Sequence, residues 1–123
     1  MRKLLLVEDD PSLREVYGLI LSSQLYEFDV AVNGQDALEK CQNKTYDLIL
    51  LDLMMPVLDG VGFLEKFTLG NGHLPTKVIV LSNLSAGQDL SRAIALGAYK
   101  SILKADLSPK QLLATVRYEL EST

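Results

Sequence analysis

Tryptophan is absent from this chain, and its 123 residues include one cysteine, one histidine and four prolines. A lone thiol, Cys41, excludes an internal disulfide, so a disulfide-stapled scaffold is ruled out and a reducing cytoplasm is the expected setting. His73 stands in the turn-rich stretch Gly70-Asn71-Gly72-His73-Leu74-Pro75 with no second histidine or cysteine near it, which argues against a zinc-type site. No apolar run approaches the about 18 residues a membrane-crossing helix needs. The opening MRKLLLVEDD carries a basic pair and an apolar run, but Leu4 to Val7 is too short for a signal-peptide core and acids follow at once. Nor are lysine and arginine clustered: the net charge is -4 and the pI near 4.9, so direct nucleic-acid binding and membrane attachment are not expected.

What the chain does have is apolar residues at 48% and charged residues at 23%, the makeup of one globular domain over residues 1–123. Five apolar runs have strand length: Lys3 to Val7, Phe28 to Val32, Asp47 to Leu51, Lys77 to Leu81 and Ser101 to Lys104. Helical patterns separate them. Pro11 to Gln24 spaces Leu13, Val16, Tyr17 and Ile20 along one face, with Asp10 as cap and Pro11 at the first helical position. Asn33 opens a helix with Ala37, Leu38 and Cys41 on its apolar side, and Asp59 one with Phe63, Leu64 and Phe67, although Gly62 weakens the latter. Ser85 to Gln88 and Ser108 to Gln111 both read as capping boxes, and Gly97 closes the first of those two helices.

Strand and helix alternating five times imply a doubly wound α/β fold: a parallel sheet with helices on both faces. The runs LLLV, LILL and VIVL are continuously apolar, as strands covered on both faces should be. FDVAV carries a charge and SILK a serine, so these two belong at the edges, and the order 2-1-3-4-5 satisfies that division.

The strands end in polar groups: Glu8, Asp9 and Asp10 after the first, Asp52 on the third, Ser82 after the fourth, Lys104 after the fifth. In a parallel sheet these ends share one rim, and ligands of open α/β sheets bind there, where the strand order reverses. A carboxylate at a strand tip is ordinarily just solvated, and Asp10 before Pro11 is best spent on capping. Convergence is what carries meaning here. Several carboxylates drawn together repel, and a hard divalent ion such as Mg²⁺ relieves them. With Lys104 opposite and the Ser82 hydroxyl as a donor, the set suits a phosphoryl group, with Asp52 as the attacking carboxylate.

At this point the sequence resembles the receiver domain of bacterial two-component response regulators. LLLVEDDP, LILLDLMMPVLDG, VIVLS and GAYKSILK stand in that family's order and spacing, over essentially the whole chain. The resemblance implies a flavodoxin-like (βα)5 fold and a phosphorylation-activated switch, with at most self-phosphorylation and autodephosphorylation activity rather than a classical enzyme. It implies that Asp52 accepts a phosphoryl group from a sensor histidine kinase, a phosphotransfer protein or a small phosphodonor. Asp9, the Asp52 carboxylate and the Met54 backbone carbonyl are then ligands for Mg²⁺, with Glu8 acting through water. Lys104 and Ser82 pair with the phosphoryl oxygens, and Pro56 and Gly60 shape the loop after the acceptor. The surface of the fourth helix, fifth strand and fifth helix, roughly 87 to 121, is the implied contact for an effector or output domain and for a phosphorylation-dependent dimer.

Two positions depart from the family pattern. Ala105 follows Lys104 where a cis-proline is usual, and a cis bond to a non-proline residue costs on the order of 3 to 4 kcal/mol, so a trans loop that shifts Lys104 is expected. Ser101 stands where the switch aromatic is common, and Tyr99, two residues earlier, is the nearest substitute in sequence. These departures leave a degenerate receiver, signalling by protein contact without phosphorylation, as the alternative. A Mg²⁺-dependent aspartyl phosphatase lacks a matching acid pair on the first strand and room for a cap. A flavodoxin-like FMN carrier would need glycines and hydroxyls where Glu8, Asp9 and Asp10 stand.

Overall fold

The computed structural model describes residues 1–22, 25–71 and 76–121. In chain order the elements are β1 (Arg2–Val7), α1 (Pro11–Leu21), β2 (Tyr26–Ala31), α2 (Gly34–Asn43), β3 (Leu48–Asp52), α3 (Gly60–Asn71), β4 (Lys77–Ser82), α4 (Gly87–Ala95), β5 (Lys100–Leu103), a 3₁₀ turn over Lys104–Asp106, and α5 (Pro109–Glu121). The five strands form one parallel sheet in the order β2-β1-β3-β4-β5, as the apolar content of the runs implied.

The three central strands are continuously apolar through their middles, because alternate residues there pack on opposite covered faces. Leu5, Val7, Ile49, Leu51, Val78 and Val80 pack with Ala37, Phe63, Leu64, Phe67 and Ala93 of α2, α3 and α4. Leu4, Leu6, Leu48, Leu50, Ile79 and Leu81 pack with Tyr17 and Leu21 of α1 and with Leu112, Val116 and Leu120 of α5. Each leucine or phenylalanine fully withdrawn from water contributes roughly 1.5–3 kcal/mol, so the sheet is a rigid base for whatever its ends carry. At the N-terminal ends of the strands, Arg2, Tyr26, Arg117, Leu120 and Glu121 help line a small cavity of about 50 Å³.

The helix starts follow the sequence with one correction. Asp10 Oδ1 accepts from the backbone N–H of Ser12 and Leu13, Asn33 Oδ1 from that of Asp36, and Asp59 Oδ1 from that of Gly62. The Ser108–Gln111 box forms reciprocally, at 3.0 and 3.1 Å. The Ser85–Gln88 box does not. Asn83 Oδ1 accepts from both the N–H and the hydroxyl of Ser85, and the N-cap of α4 falls one residue later, at Ala86, with no side-chain cap. An asparagine two residues ahead offers Ser85 a tighter local bond than a helix cap does.

Other differences are small. β2 starts two residues earlier than the pattern indicated. Lys104 falls in the 3₁₀ turn after β5 and not within the strand. Val16 is 47% exposed although its spacing placed it on the buried face of α1. α1 ends at Leu21, and Gln24 and His73 lie outside the described residues. Cys41 is half-buried against the core, and burial pushes its thiol up to about 11, so it behaves as a small apolar group. No helix among the described residues is long and apolar enough to cross a membrane.

Candidate functional site

β1 and β3 are neighbours in the sheet, and the strand order turns back between them. Asp52 is the last residue of β3 and is 7% exposed; Glu8, directly after β1, is 1% exposed, and Asp9 is half-buried. One carboxylate oxygen from each of the three lies within 4.8 Å of the others. Lys104 reaches across from the turn after β5, with its Nζ 2.9 Å from Glu8 Oε1 and 3.3 Å from Asp52 Oδ2.

The electrostatics follow from that crowding. Burial pushes the Glu8 carboxyl up to about 7, and the Asp52 charge adds to the effect while the Lys104 contact opposes it. Burial alone would lower the Lys104 ammonium group, but its contacts with Glu8 and Asp52 outweigh burial and hold it above the ordinary lysine range. Glu8 and Asp52 thus share one cation, with the Asp9 carboxylate close by. This donor set of clustered, hard oxygens suits a divalent ion such as Mg²⁺, whose charge would offset their mutual repulsion.

The backbone around Asp52 is fixed by close approaches. Gly60 donates its N–H to Leu53 O at 3.0 Å, and a Cβ on Gly60 would stand 2.7 Å from Asp52 O, so any side chain there displaces the end of β3. Gly34, at the start of α2, donates to Leu58 O at 2.9 Å, and a Cβ there would fall 2.5 Å from the same carbonyl. Between them, Leu58 N–H donates to Pro56 O at 2.8 Å around Val57, whose φ is 69°, which makes a γ-turn of the rarer, positive-φ form.

Of the residues singled out in the sequence, Glu8, Asp9, Asp52 and Lys104 come together. Among the described residues every peptide bond is trans, including the one before Ala105, and Lys104 reaches the carboxylates all the same. Ser82 ends β4, is 2% exposed and pairs in register with Leu103, one step farther along the rim than the Asp52–Leu81 pair. Met54 donates its N–H to Asp52 Oδ1 at 3.3 Å, and its thioether accepts from Asn83 Nδ2 at 3.7 Å.

Tyr99 and Ser101 are not brought to the site. Tyr99 precedes β5 at the far end of that strand, where its N–H donates to Val78 O and its ring lies 5.1 and 5.8 Å from the ammonium groups of Lys77 and Lys100. Ser101 is exposed and paired with Val80. Tyr99, the nearest aromatic in sequence to the missing one, thus stands before β5, at the end of that strand away from Asp52.

The sequence reading also missed a residue. Arg14, on the first turn of α1, donates from one guanidinium nitrogen to Glu8 O at 3.0 Å and Asp9 O at 2.7 Å, and so holds the acidic loop from behind. Its position one turn after the Asp10 cap was the available signal.

A doubly wound parallel sheet with acids and a lysine gathered at its reversal point defines a phosphoryl- or metal-handling module of the flavodoxin-like type. Comparison narrows this. The family model described as the response regulator receiver domain matches residues 4–117, and the chain belongs to that family. It is 33% identical over 117 residues to the response regulator ArlR of Staphylococcus saprophyticus, covering 95% of this chain and 51% of that protein. It is 35% identical over 115 residues to the transcriptional regulatory protein DltR of Streptococcus agalactiae, covering 94% and 50%. The chain thus spans about half the length of these two relatives. Among solved structures, the chemotaxis protein CheY4 of Vibrio cholerae superposes with a TM-score of 0.84 at 29% identity, covering 98% of this chain and 99% of that one. Receiver domains are signalling switches of two-component systems rather than classical enzymes, and the family binds Mg²⁺ at an acidic pocket, a description that the cluster of Glu8, Asp9 and Asp52 fits.

Proposed function

We propose that Asp52 accepts a phosphoryl group from the phosphohistidine of a sensor histidine kinase or phosphotransfer protein, or from a small phosphodonor. The observation that carries this reading is the convergence of Asp52, Glu8, Asp9 and Lys104 at one end of the sheet. An Asp52 oxygen attacks phosphorus in line; the bond from phosphorus to the imidazole nitrogen breaks, its electron pair stays on that nitrogen, and Asp52 becomes an acyl phosphate. The carboxylates of Asp9 and Asp52 and the Met54 carbonyl would hold Mg²⁺, with Glu8 acting through water. When bound, the ion neutralises phosphoryl charge and aligns the oxygens for displacement.

The chain's own residues do the rest. Lys104 already stands 3.3 Å from Asp52 Oδ2 and passes from that carboxylate to a phosphoryl oxygen. Ser82 turns its hydroxyl to donate to another. Burial of Asp52 keeps bulk water from the acyl phosphate.

Phosphorylation adds roughly -1.5 to -2 charges at neutral pH. Bonds from Ser82 and Lys104 to that charge bias the positions of the β4–α4 loop and of α4, and the α4–β5–α5 surface, where Ile94, Tyr99 and Tyr118 are exposed, presents the change to an effector or output domain or to a second copy. The setting is the cytoplasm, where the half-buried Cys41 stays reduced.

Mass spectrometry after incubation with acetyl phosphate and Mg²⁺ tests the reading. The chain should gain one phosphoryl unit, and Asp52→Asn should gain none. An unmodified wild-type chain would leave the degenerate, contact-only receiver in its place.

A further inference from the structure

Beside the phosphoryl site lies a second concavity, which shares Met54 with it but whose two carboxylates have no part in the proposed reaction. It is a cleft of about 340 Å³ between the β3–α3 loop and the first turn of α4, lined by Leu53, Met54, Met55, Pro56, Asp59 and Asp89. Its size is at the lower end of the about 300–1,000 Å³ typical of ligand pockets. Four of the six lining residues are apolar and the other two are carboxylates.

Both aspartates have ordinary duties. Asp59 Oδ1 caps α3, and Asp89 sits in the first turn of α4, where a negative charge is favoured. Those duties leave the carboxylates without a cation: among the described residues neither makes an ion pair, and the nearby Arg92 is committed to Glu65 at 3.0 Å. Nor do they explain why large apolar side chains stand in water at the same pole. Met54 is 53% exposed, Val57 81% and Leu84 86%. Val57 is presented there by a positive-φ turn that a β-branched residue adopts at a cost.

We infer that this cleft docks a basic, amphipathic segment of a partner protein, whose lysine or arginine stems lie over Met54, Met55 and Pro56 while their charged heads meet Asp59 and Asp89. Charge complementarity selects that occupant. Long cationic side chains cover apolar surface with their methylenes and keep the head at a polar rim, and methionine adapts its shape to such stems. The same pole carries Glu8, Asp9, Asp10 and Asp52 on a chain of net charge -4, so its field attracts a basic partner and repels an acidic one. The inference stands apart from phosphoryl transfer, because the cleft and its carboxylates are present without it.

The test is NMR titration of the isotope-labelled protein, saturated with Mg²⁺ and given no phosphodonor, with a synthetic peptide of lysine and leucine at amphipathic helical spacing. Amide shifts should centre on Leu53, Met55, Val57 and Asp89, and raised salt should weaken binding. A glutamate-for-lysine peptide should not bind. Asp59→Asn with Asp89→Asn should bind roughly tenfold more weakly, since asparagine keeps the α3 cap while losing the charge. Shifts centred on Val16 and Leu19 of α1, or on Ile94, Tyr99 and Tyr118, would overturn the inference, as would unchanged affinity in the double variant. If that variant fails to fold, the wild-type shift map and salt dependence decide alone.

Discussion

Val57 shows how much a single backbone angle can demand. At φ 69° it holds the γ-turn from Pro56 to Leu58 that follows Asp52. An L-residue in the left-handed region loses roughly 1–2 kcal/mol, whereas glycine there loses only the roughly 0.5–1 kcal/mol of extra unfolded-state freedom. Val57→Gly should therefore stabilise the domain by about 0.5–1 kcal/mol, seen as a higher urea midpoint with an unchanged slope; a lower midpoint would show that Val57 makes contacts worth more than the strain. At this scale the cluster of carboxylates and lysine was largely legible. Glu8, Asp9, Asp52 and Lys104 are ordinary singly and stand out because the sheet topology brings the ends of their strands together. Arg14 was barely legible: its place one turn after the Asp10 cap was a faint signal, because its partners are backbone carbonyls, which every residue has.

Elements meet through glycine at the junction of α2 with the β3–α3 loop. A Cβ on Gly34 would fall 2.5 Å from Leu58 O and 3.1 Å from Asp59 O, backbone atoms that cannot swing aside. Gly34→Ala should destabilise the domain by roughly 1–3 kcal/mol, measured by urea denaturation. Under the proposed function it should also slow uptake of a phosphoryl group from acetyl phosphate, since the displaced loop begins at Asp52. Element identity and order followed from the sequence because strand and helix periods are unambiguous in the core. Element ends were less legible. The Ser108–Gln111 and Ser85–Gln88 stretches look alike as capping boxes, and only the second has an asparagine placed to capture its serine. The 3₁₀ turn that takes in Lys104 has no marker in the run SILK.

Across the whole molecule, parallel strands sort charge to two poles. Opposite the acidic site, Glu119 of α5 is 3% exposed and stands between Lys77, 3.2 Å from its Oε1, and Lys100, 2.9 Å from its Oε2 but off-angle for a hydrogen bond. Burial would raise this carboxyl, but the two ammonium groups outweigh burial and hold it below its ordinary value of 4.5. A depressed folded-state value means that the stabilisation is present above pH 4.5 and disappears as pH falls through the lower folded value. Glu119→Gln should cost about 1–2 kcal/mol near neutral pH, less than a fully buried pair because both lysines are partly solvated. Urea titrations at several pH values should show that deficit shrinking below pH 4.5; a constant deficit would assign the effect to packing. The sequence marks Glu119 only as an acid on the apolar stripe of α5, beside Leu112, Val116 and Leu120, and its two lysine partners stand at the starts of β4 and β5, far away in sequence.

The small cavity walled by both Arg2 and Glu121 sets the opening of the first strand against the last turn of the last helix. A peptide tether of a few residues spanning that gap would turn the molecule into a ring without touching the pole that holds Asp52. The polypeptide could then be cut open in a surface connection such as Lys44–Thr45 and still fold around the same sheet.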